Sequence, residues 1–423
     1  MKPVPATKYA EGTDVWLEKT CPLHGVQKVH ISKDAVRFFD QTFAVDCAPV
    51  FERQRPVDKG CPEDCGLCPE HRQHLCTGMI EITSCCNLTC PICYLGEIEN
   101  RADISVAEFS DRLEALLRAE GGKLNVLQIS GGEPTLHRNF AEILDLATSK
   151  EIGRILVNSN GLRLLDDDDP IRALEKHRDR AEVFLQFDGF YDAVYRRLRG
   201  VDFIERKLKI IKRLDERRIK ISLAVAVFQG NIKELPAILD LACRVGSITG
   251  VTFQRLVKVG RAKNFASETI FLEDILNGIN HSNAMKYKDL IPLPCAHANC
   301  TSLGILLRTV DGKVYTLSDC VDYEKRKDAT SNQQTILDCV RKNACCNLAV
   351  KTVGNTPLLD KLREFPEASG SSTRGMKIVR IFIKNFMDAE TFEADRAKQC
   401  CLGVSTGGNR IVPFCIHNIL RNP

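Results

Sequence analysis

Three thiols fall within eight residues in Cys86-Asn-Leu-Thr-Cys90-Pro-Ile-Cys93-Tyr94, just after the apolar stretch 79–82. Three thiolates on one loop can each take one iron of a cubane, which leaves the fourth iron open to a chelating ligand. The alternative is a mononuclear zinc site that recruits a fourth thiolate, such as Cys85 or Cys76. Ser130-Gly131-Gly132-Glu133-Pro134 favours the cubane. It ends the next strand candidate, where two successive strand–helix loops face each other at the C-terminal rim of a barrel. Further along that rim, Asn158-Ser159-Asn160-Gly161 and Gln186-Phe187-Asp188-Gly189 end the following strand candidates. Asn160 and Asp188 there suit ribose, carboxylate or substrate contacts, and they suit turn and helix-cap chemistry equally well.

The chain holds 20 cysteines, and most of them are clustered. Cys61-Pro-Glu-Asp-Cys65-Gly-Leu-Cys68 repeats the three-thiolate spacing, with His71, His74 and Cys76 close behind. It fits a second iron–sulfur cluster or a zinc site, or a simple redox or structural thiol group. Cys295-Ala-His-Ala-Asn-Cys300, the doublet Cys400-Cys401, and Cys415 are further groups. If the chain end folds back across the barrel mouth, Cys295, Cys300, Cys400 or Cys401, and Cys415 could complete a third site. Cys243 lies in an apolar helix pattern and reads as core. Cys339, Cys345 and Cys346 show no ligand spacing.

These loops need a scaffold, and the chain between residue 80 and about 256 supplies one. Strand candidates at 125–130, 155–158, 183–187, 219–228 and 251–253 alternate with amphipathic helix candidates. Ser105-Val-Ala-Glu108 and Asn231-Ile-Lys-Glu234 read as capping boxes that open two of the helices. Strands separated by helices imply parallel pairing through crossovers, hence an α/β fold of the barrel type. After Pro292 the pattern changes. Residues 305–310 and 314–317 around Asp311-Gly312 predict a hairpin, 326–365 a helical stretch, and 366–375 a flexible connection. Residues 378–383 predict a strand, followed by a short helix ending at Cys400-Cys401.

Apolar residues make up 44 % of the chain, charged residues 27 % and aromatics 6 %, the profile of an ordinary soluble globular protein. A net charge of +4 gives no ground for nucleic-acid binding. No run of eighteen apolar residues is present, and Met1-Lys-Pro-Val-Pro-Ala lacks a signal-peptide core, so a cytoplasmic protein is expected. In that setting clustered cysteines read as metal ligands rather than disulfides.

The triplet followed by an aromatic, with Gly-Gly-Glu-Pro after the next strand, resembles the radical S-adenosylmethionine (SAM) superfamily. The resemblance implies a partial (β/α)6 TIM-like barrel with cysteine-rich N- and C-terminal extensions. It also implies that Cys86, Cys90 and Cys93 hold a [4Fe–4S] cluster. SAM would chelate the open iron, with Gly131, Gly132 and Glu133 contacting its amino group and Tyr94 near its adenine. Reductive cleavage would then give a 5′-deoxyadenosyl radical that abstracts hydrogen from an unactivated carbon, with a low-potential donor such as ferredoxin or flavodoxin supplying the electron. CPEDCGLCPEH, PCAHANC and CCLGVSTGGNRIVPFC resemble the subgroup of archaeal tetraether lipid synthases and dihydro-hydroxymethylpterin methyltransferases, over nearly the whole chain. That subgroup implies one or two auxiliary [4Fe–4S] clusters, drawing on Cys61, Cys65 and Cys68 and on Cys295, Cys300, Cys401 and Cys415. Residues 1–76 would be an N-terminal extension, 77–290 the core barrel and 291–423 an auxiliary-cluster region. Cys21-Pro-Leu-His24-Gly25 resembles half of a rubredoxin-like site, but Met1–Thr20 holds no cysteine, so a lost or degenerate iron site is expected. The leading expectation for the reaction is a C–C bond between lipid chains, with peripheral membrane contact if so. The alternative is C-methylation of a pterin or other small molecule. From a different class, a non-catalytic iron–sulfur carrier or zinc scaffold would need neither the glycine turn nor the barrel.

Overall fold

The computed structural model describes residues 4–40, 56–66, 68–96, 102–265, 268–282, 284–293, 296–309, 311–316 and 377–421. It opens with a three-stranded antiparallel sheet, β1 (Ala6–Glu11), β2 (Asp14–Cys21) and β3 (Gly25–Ser32). The sequence hardly announces this sheet, because β1 buries no residue. Its small core is Val15 and Leu17 against Ile31 and Phe38. Ser32 Oγ donates to Glu273 Oε1 at 2.6 Å and Lys33 pairs with Asp274 at 2.7 Å, which fastens the sheet to the helix Leu272–Asn280.

The second sheet is built on six parallel strands: β4 (Thr77–Thr83), β5 (Leu124–Gly131), β6 (Ile152–Ser159), β7 (Ala181–Gln186), β8 (Lys220–Val227) and β9 (Ile248–Arg255). They pair in chain order with helices between them, the expected (β/α)6 arrangement. Beyond β9 come β10 (Ile291–Pro292), β11 (Thr301–Arg308) and β12 (Val314–Thr316), and β11 and β12 form the expected hairpin. The chain end extends the sheet at both sides. β13 (Lys377–Lys384) runs parallel to β9, and β14 (Leu402–Gly407), paired with β15 (Arg410–Pro413), runs parallel to β4. Residues 385–401 therefore pass from one side of the barrel to the other.

Strand periodicity then separates core from site. On β5 to β9, side chains such as Leu127, Val157, Val183, Leu223 and Phe253 are fully buried beneath the helices. Their alternates (Gln128, Asn158, Gln186, Ala224 and Gln254) face the lumen. Ser105 caps the helix Val106–Ala119, its Oγ accepting from Glu108 N at 3.1 Å, while the Glu108 carboxylate turns to Arg112. The second expected capping box is corrected. Residues Gln229–Glu234 form a 3-10 turn and the helix begins at Leu235. Buried Asn231 instead donates to the carbonyls of Asp188 and Ala226 at 2.8 and 2.9 Å, joining the ends of β7 and β8. No helix among the described residues is long and apolar enough to cross a membrane. The expected helical stretch 326–365, the connection 366–375, and Cys47, Cys295, Cys339, Cys345 and Cys346 lie outside the described residues.

Candidate functional site

The cysteine loop and the glycine turn are joined through their backbones. Gly132 N donates to Thr83 O at 2.7 Å and Glu133 N to Cys85 O at 2.8 Å. The approach leaves no room for a side chain: a Cβ on Gly131 would lie 2.1 Å from Thr83 O, and one on Gly132 2.1 Å from Cys85 O. Gly131 also has φ +126°, a conformation that side-chain-bearing residues rarely adopt. The cysteine loop is held from the other side by Arg261, whose guanidinium donates to the carbonyls of Cys90 at 2.8 Å and Gly96 at 3.1 Å, while its N–H donates to Cys93 O.

Glu133 is buried, and burial pushes its carboxyl above the usual range. Its oxygens accept from Thr135 Oγ1 at 2.6 Å, Ser159 Oγ at 2.8 Å and Asn160 N at 2.7 Å. The side chain is thus spent on the β6 rim, leaving the backbone of the Gly131–Glu133 turn for any ligand. Asn160 is the junction of this network. Its amide donates to Asn87 Oδ1 at 2.7 Å beside Cys86 Sγ at 3.9 Å, and its carbonyl accepts from Lys207 Nζ at 2.6 Å. Burial pulls the Lys207 ammonium down to about 7. Asp188 is fully buried and its oxygens are committed to Arg199, Gln186 and Ala226 N. Arg199 lines the cavity beside the cysteines and hydrogen-bonds Cys90. Any action of Asp188 on a ligand therefore runs through Arg199. Tyr94 lines the cavity within an aromatic group, its ring 6.4 Å from Phe386 and 6.3 Å from Phe414.

Arg199, Arg261 and Lys207 escaped the sequence reading, yet two of them leave a trace there. Lys207 stands on the buried stripe of its helix with Ile210, Ile211 and Leu214, and Arg199 follows the buried Val194, Tyr195 and Leu198. A cation on an apolar stripe needs a buried partner. Arg261 sits in a short 3-10 turn with no periodicity to mark it.

Cys86, Cys90, Cys93, the glycine turn and Asn160 open onto one cavity of about 350 Å³, which continues down the barrel lumen. Burial pushes the Cys86 thiol up to about 11 and raises Cys93 as well. Such thiols become thiolates when a metal offsets the lost hydration. The donor set fits an iron–sulfur cluster on this loop: three thiols beside backbone polar groups and the guanidinium of Arg199, with the nearby Glu133 carboxylate held by the β6 rim. Cys86, Cys90 and Cys93 would hold the cluster, which would supply the electron for reductive cleavage of SAM.

The other thiols form two neighbourhoods. Cys61, Cys65 and Cys68 lie near one another, and burial pushes Cys61 up to about 11 and raises Cys65 as well. Cys300, Cys400 and Cys415 make a second set, with Arg396 Nε 3.3 Å from Cys300 Sγ. Of the doublet, Cys400 lies in that set, whereas Cys401 lines the large cavity. Cys61, Cys65 and Cys415 pack in one apolar cluster, so the two neighbourhoods adjoin. Buried His71 lies beside Cys400 and Cys401, its Nε2 without a hydrogen-bond partner among the described residues. Cys76 Sγ lies 3.3 Å from His74 Nε2, and His74 Nδ1 3.3 Å from Glu120. Cys21 Sγ lies 3.2 Å from His24 Nδ1 at the exposed β2–β3 turn.

A parallel-stranded barrel carrying three thiols and a glycine turn at one rim defines an iron–sulfur enzyme class, and residues 80–242 match the model of the Radical SAM superfamily. These residues thus form a radical SAM domain, the domain of an enzyme that uses a [4Fe–4S] cluster with SAM. Residues 1–33 match the HMPTM N-terminal zinc ribbon domain. Over its whole length the chain is 26 % identical to the 7,8-dihydro-6-hydroxymethylpterin dimethyltransferase of Methanocaldococcus jannaschii, covering 92 % of that protein. It is 28 % identical to the Fe-coproporphyrin III synthase of Methanosarcina barkeri over 46 % of this chain and 47 % of that one. Among solved structures, Streptococcus suis SuiB bound to precursor peptide SuiA aligns over 49 % of this chain and 45 % of its own, at 18 % identity and TM-score 0.43.

Proposed function

We propose that this enzyme functionalises a carbon of a compact polar heterocycle of the pterin class, with C-methylation as the outcome. The observation that carries the reading is the layering of the lumen. Val126, Leu156, Phe184 and Ala224 make an apolar band one residue deep. One pleat toward the cysteines the same strands present Gln128, Asn158 and Gln186, and one pleat away they present Arg154, Glu182 and Ser222. Convergent hydrogen-bonding groups around a thin apolar belt suit a flat heteroaromatic ring, its edges bonded and its faces packed. The full-length similarity to a pterin dimethyltransferase supports the same substrate class. Coupling of two lipid chains draws on the apolar band alone. Gln128 donates to Asn158, Asn158 to Ser130 and Gln186 to Asp188, and two alkyl chains would leave the remaining hydrogen-bonding capacity of these layers unused.

In this reading Cys86, Cys90 and Cys93 hold the cleaving cluster, and the Gly131–Glu133 backbone and Arg199 orient SAM. Tyr94 walls its site, and Asn160 and Asp188 fix the rim. The Cys61–Cys68 group and the Cys300, Cys400 and Cys415 group hold auxiliary iron–sulfur clusters. The electron comes from an acidic low-potential carrier. Leaving out the inward-facing Arg199 and Lys207, residues 191–220 hold nine Lys and Arg against five Asp and Glu, and Gly200 in this stretch abuts Pro91 of the cysteine loop. A cytoplasmic enzyme with a soluble substrate is expected.

The test is anaerobic turnover of the reconstituted protein with SAM, reductant and 7,8-dihydro-6-hydroxymethylpterin, read by mass spectrometry. The expected result is 5′-deoxyadenosine formed with a pterin heavier by one or two methyl substitutions. Unchanged pterin, together with chain-coupled lipids when the protein is expressed in an anaerobic host, would transfer the assignment to the lipid reaction.

A further inference from the structure

Below the apolar band the lumen ends in a charged floor. Arg154 near the start of β6, Glu182 near the start of β7 and Arg380 on β13 meet there. Glu182 is 1 % exposed, and it accepts from Arg380 Nη2 at 3.2 and 3.4 Å and from Thr249 Oγ1. Arg380 is further tied to Thr249, through Nε to the carbonyl at 3.3 Å and Nη2 to the hydroxyl at 2.9 Å. Arg154 reaches the same carboxylate with Nη1 at 3.5 Å, the outer limit of a hydrogen bond, and makes no other side-chain hydrogen bond among the described residues.

One carboxylate therefore answers two guanidinium groups, and both line the cavity. Lys384, two pleats toward the rim on the same face of β13, is level with Gln254 and donates to Thr301 Oγ1 at 3.2 Å, so it stands apart from the floor. The other acids on the lining are spoken for: Glu81 by Arg421 and His417, and Glu133 by the β6 rim. Both guanidinium groups are largely withdrawn from bulk water and keep donors that Glu182 does not fill, which an arriving anion can meet with charge-assisted, forked bonds.

We infer that Arg154 and Arg380 form an anion subsite at the end of the lumen where β6 and β7 begin, so the substrate carries a carboxylate or phosphate at the end remote from the reacting carbon. Six residues of β6 separate Arg154 from Asn160 beside the cysteine loop, roughly 20 Å of strand. The substrate is accordingly elongated, with its ring in the apolar band and its anionic tail on the floor. The ring assignment rests on the pterin-class reading above. The subsite itself rests on the two arginines.

Binding separates the two. Equilibrium dialysis under anaerobic conditions, with the reconstituted enzyme and saturating SAM, compares three probes. They are 6-hydroxymethyl-7,8-dihydropterin, its diphosphate ester and 7,8-dihydropteroate, which present no anion, a phosphate and a carboxylate respectively. At least one anionic probe is expected to bind ten-fold or more tighter than the neutral one. That advantage should vanish in Arg154→Gln and return in part in Arg154→Lys, with iron content as the check on folding. The arm that gains identifies the anion as phosphate or carboxylate. Equal affinity of all three probes, or an advantage that survives both Arg154→Gln and Arg380→Gln, overturns the subsite. If no pterin binds but inorganic pyrophosphate does, and Arg154→Gln abolishes that binding, the pterin reading falls and the subsite stands. If neither binds, the subsite falls too.

Discussion

Arg199 lays its guanidinium across both oxygens of Asp188, Nε to Oδ2 at 2.8 Å and Nη2 to Oδ1 at 2.9 Å, with the carboxylate fully buried and the cation facing the cysteine loop. The fork fixes the cation in one orientation at the rim where a SAM carboxylate would arrive. Asp188→Asn keeps the shape and removes the charge, leaving a buried guanidinium unanswered. It should lower stability by about 3 kcal/mol or more and weaken SAM binding. Removing both charges, as Asp188→Asn with Arg199→Met, should recover part of that stability but none of the SAM affinity. Denaturant titration and equilibrium dialysis read the two effects separately. A double variant no more stable than the single would mean that the pair is not what holds the rim.

The parts of this site legible in the sequence are those whose chemistry is local. A cysteine triplet, a glycine turn and a Ser105 cap each declare themselves within a few residues. The six strands do so by alternation, which also separates the lumen-facing Gln128, Asn158 and Gln186 from the core. Arg154 and Arg380 are different. Each is an unremarked cation until β13 pairs with β9, and that pairing spans a sequence separation of 130 residues at Arg380 and Gly250. Asn231 illustrates the converse, since its spacing to Glu234 suits a helix cap but its amide serves two carbonyls at the rim. The N-terminal sheet is hard to read from the sequence because β1 buries no residue and β3 buries only its last two, which leaves β2 alone to alternate.

Gly132 is required by contact rather than by conformational freedom. A methyl there meets Cys85 O at 2.1 Å, and the obstacle is backbone that cannot rotate aside. Gly132→Ala should pry the glycine turn from the cysteine loop, costing about 1–3 kcal/mol and reducing iron retained at the loop after reconstitution. Gly246→Ala is the matched control, because its new methyl would lie 3.5 Å from Asp215 Oδ1, an ordinary contact. Equal iron occupancy in the two variants would separate the turn from the cluster.

His297 gives the apoprotein an acid sensitivity of defined sign. Burial, followed by the nearby Arg396 charge, lowers its pKa to about 4, and its Nδ1 accepts from Asn299 N at 3.2 Å, which requires the neutral ring. The unfolded chain takes up the proton near pH 6.5, the folded chain only near 4. Stability from this group is therefore complete above pH 6.5 and is lost as the pH falls toward 4, by about 2 kcal/mol at pH 5. His297→Gln should flatten that part of the profile. Urea midpoints of wild type and variant at pH 7 and pH 5 check it, and parallel profiles would exclude His297 as the source.

The strongest test of the cysteine groups is to remove one and count what remains. Replacing Cys86, Cys90 and Cys93 together by Ala takes away every protein ligand assigned to the cleaving cluster, so SAM cleavage should cease. The Cys61–Cys68 group and the group of Cys300, Cys400 and Cys415 draw on none of those three thiols and form adjoining neighbourhoods, with Cys65 and Cys415 in one apolar cluster. The triple variant should therefore keep about four to eight iron atoms per chain, with cluster-type absorbance and Mössbauer signals. Wild type should carry about four more. Replacing Cys61, Cys65 and Cys68 instead should remove auxiliary iron while leaving uncoupled formation of 5′-deoxyadenosine measurable, since the cleaving loop is held by Arg261 and the glycine turn rather than by these residues. Near-zero iron in the first variant after anaerobic reconstitution, with zinc in its place, would reassign both groups as zinc sites and leave the electron with a single cluster.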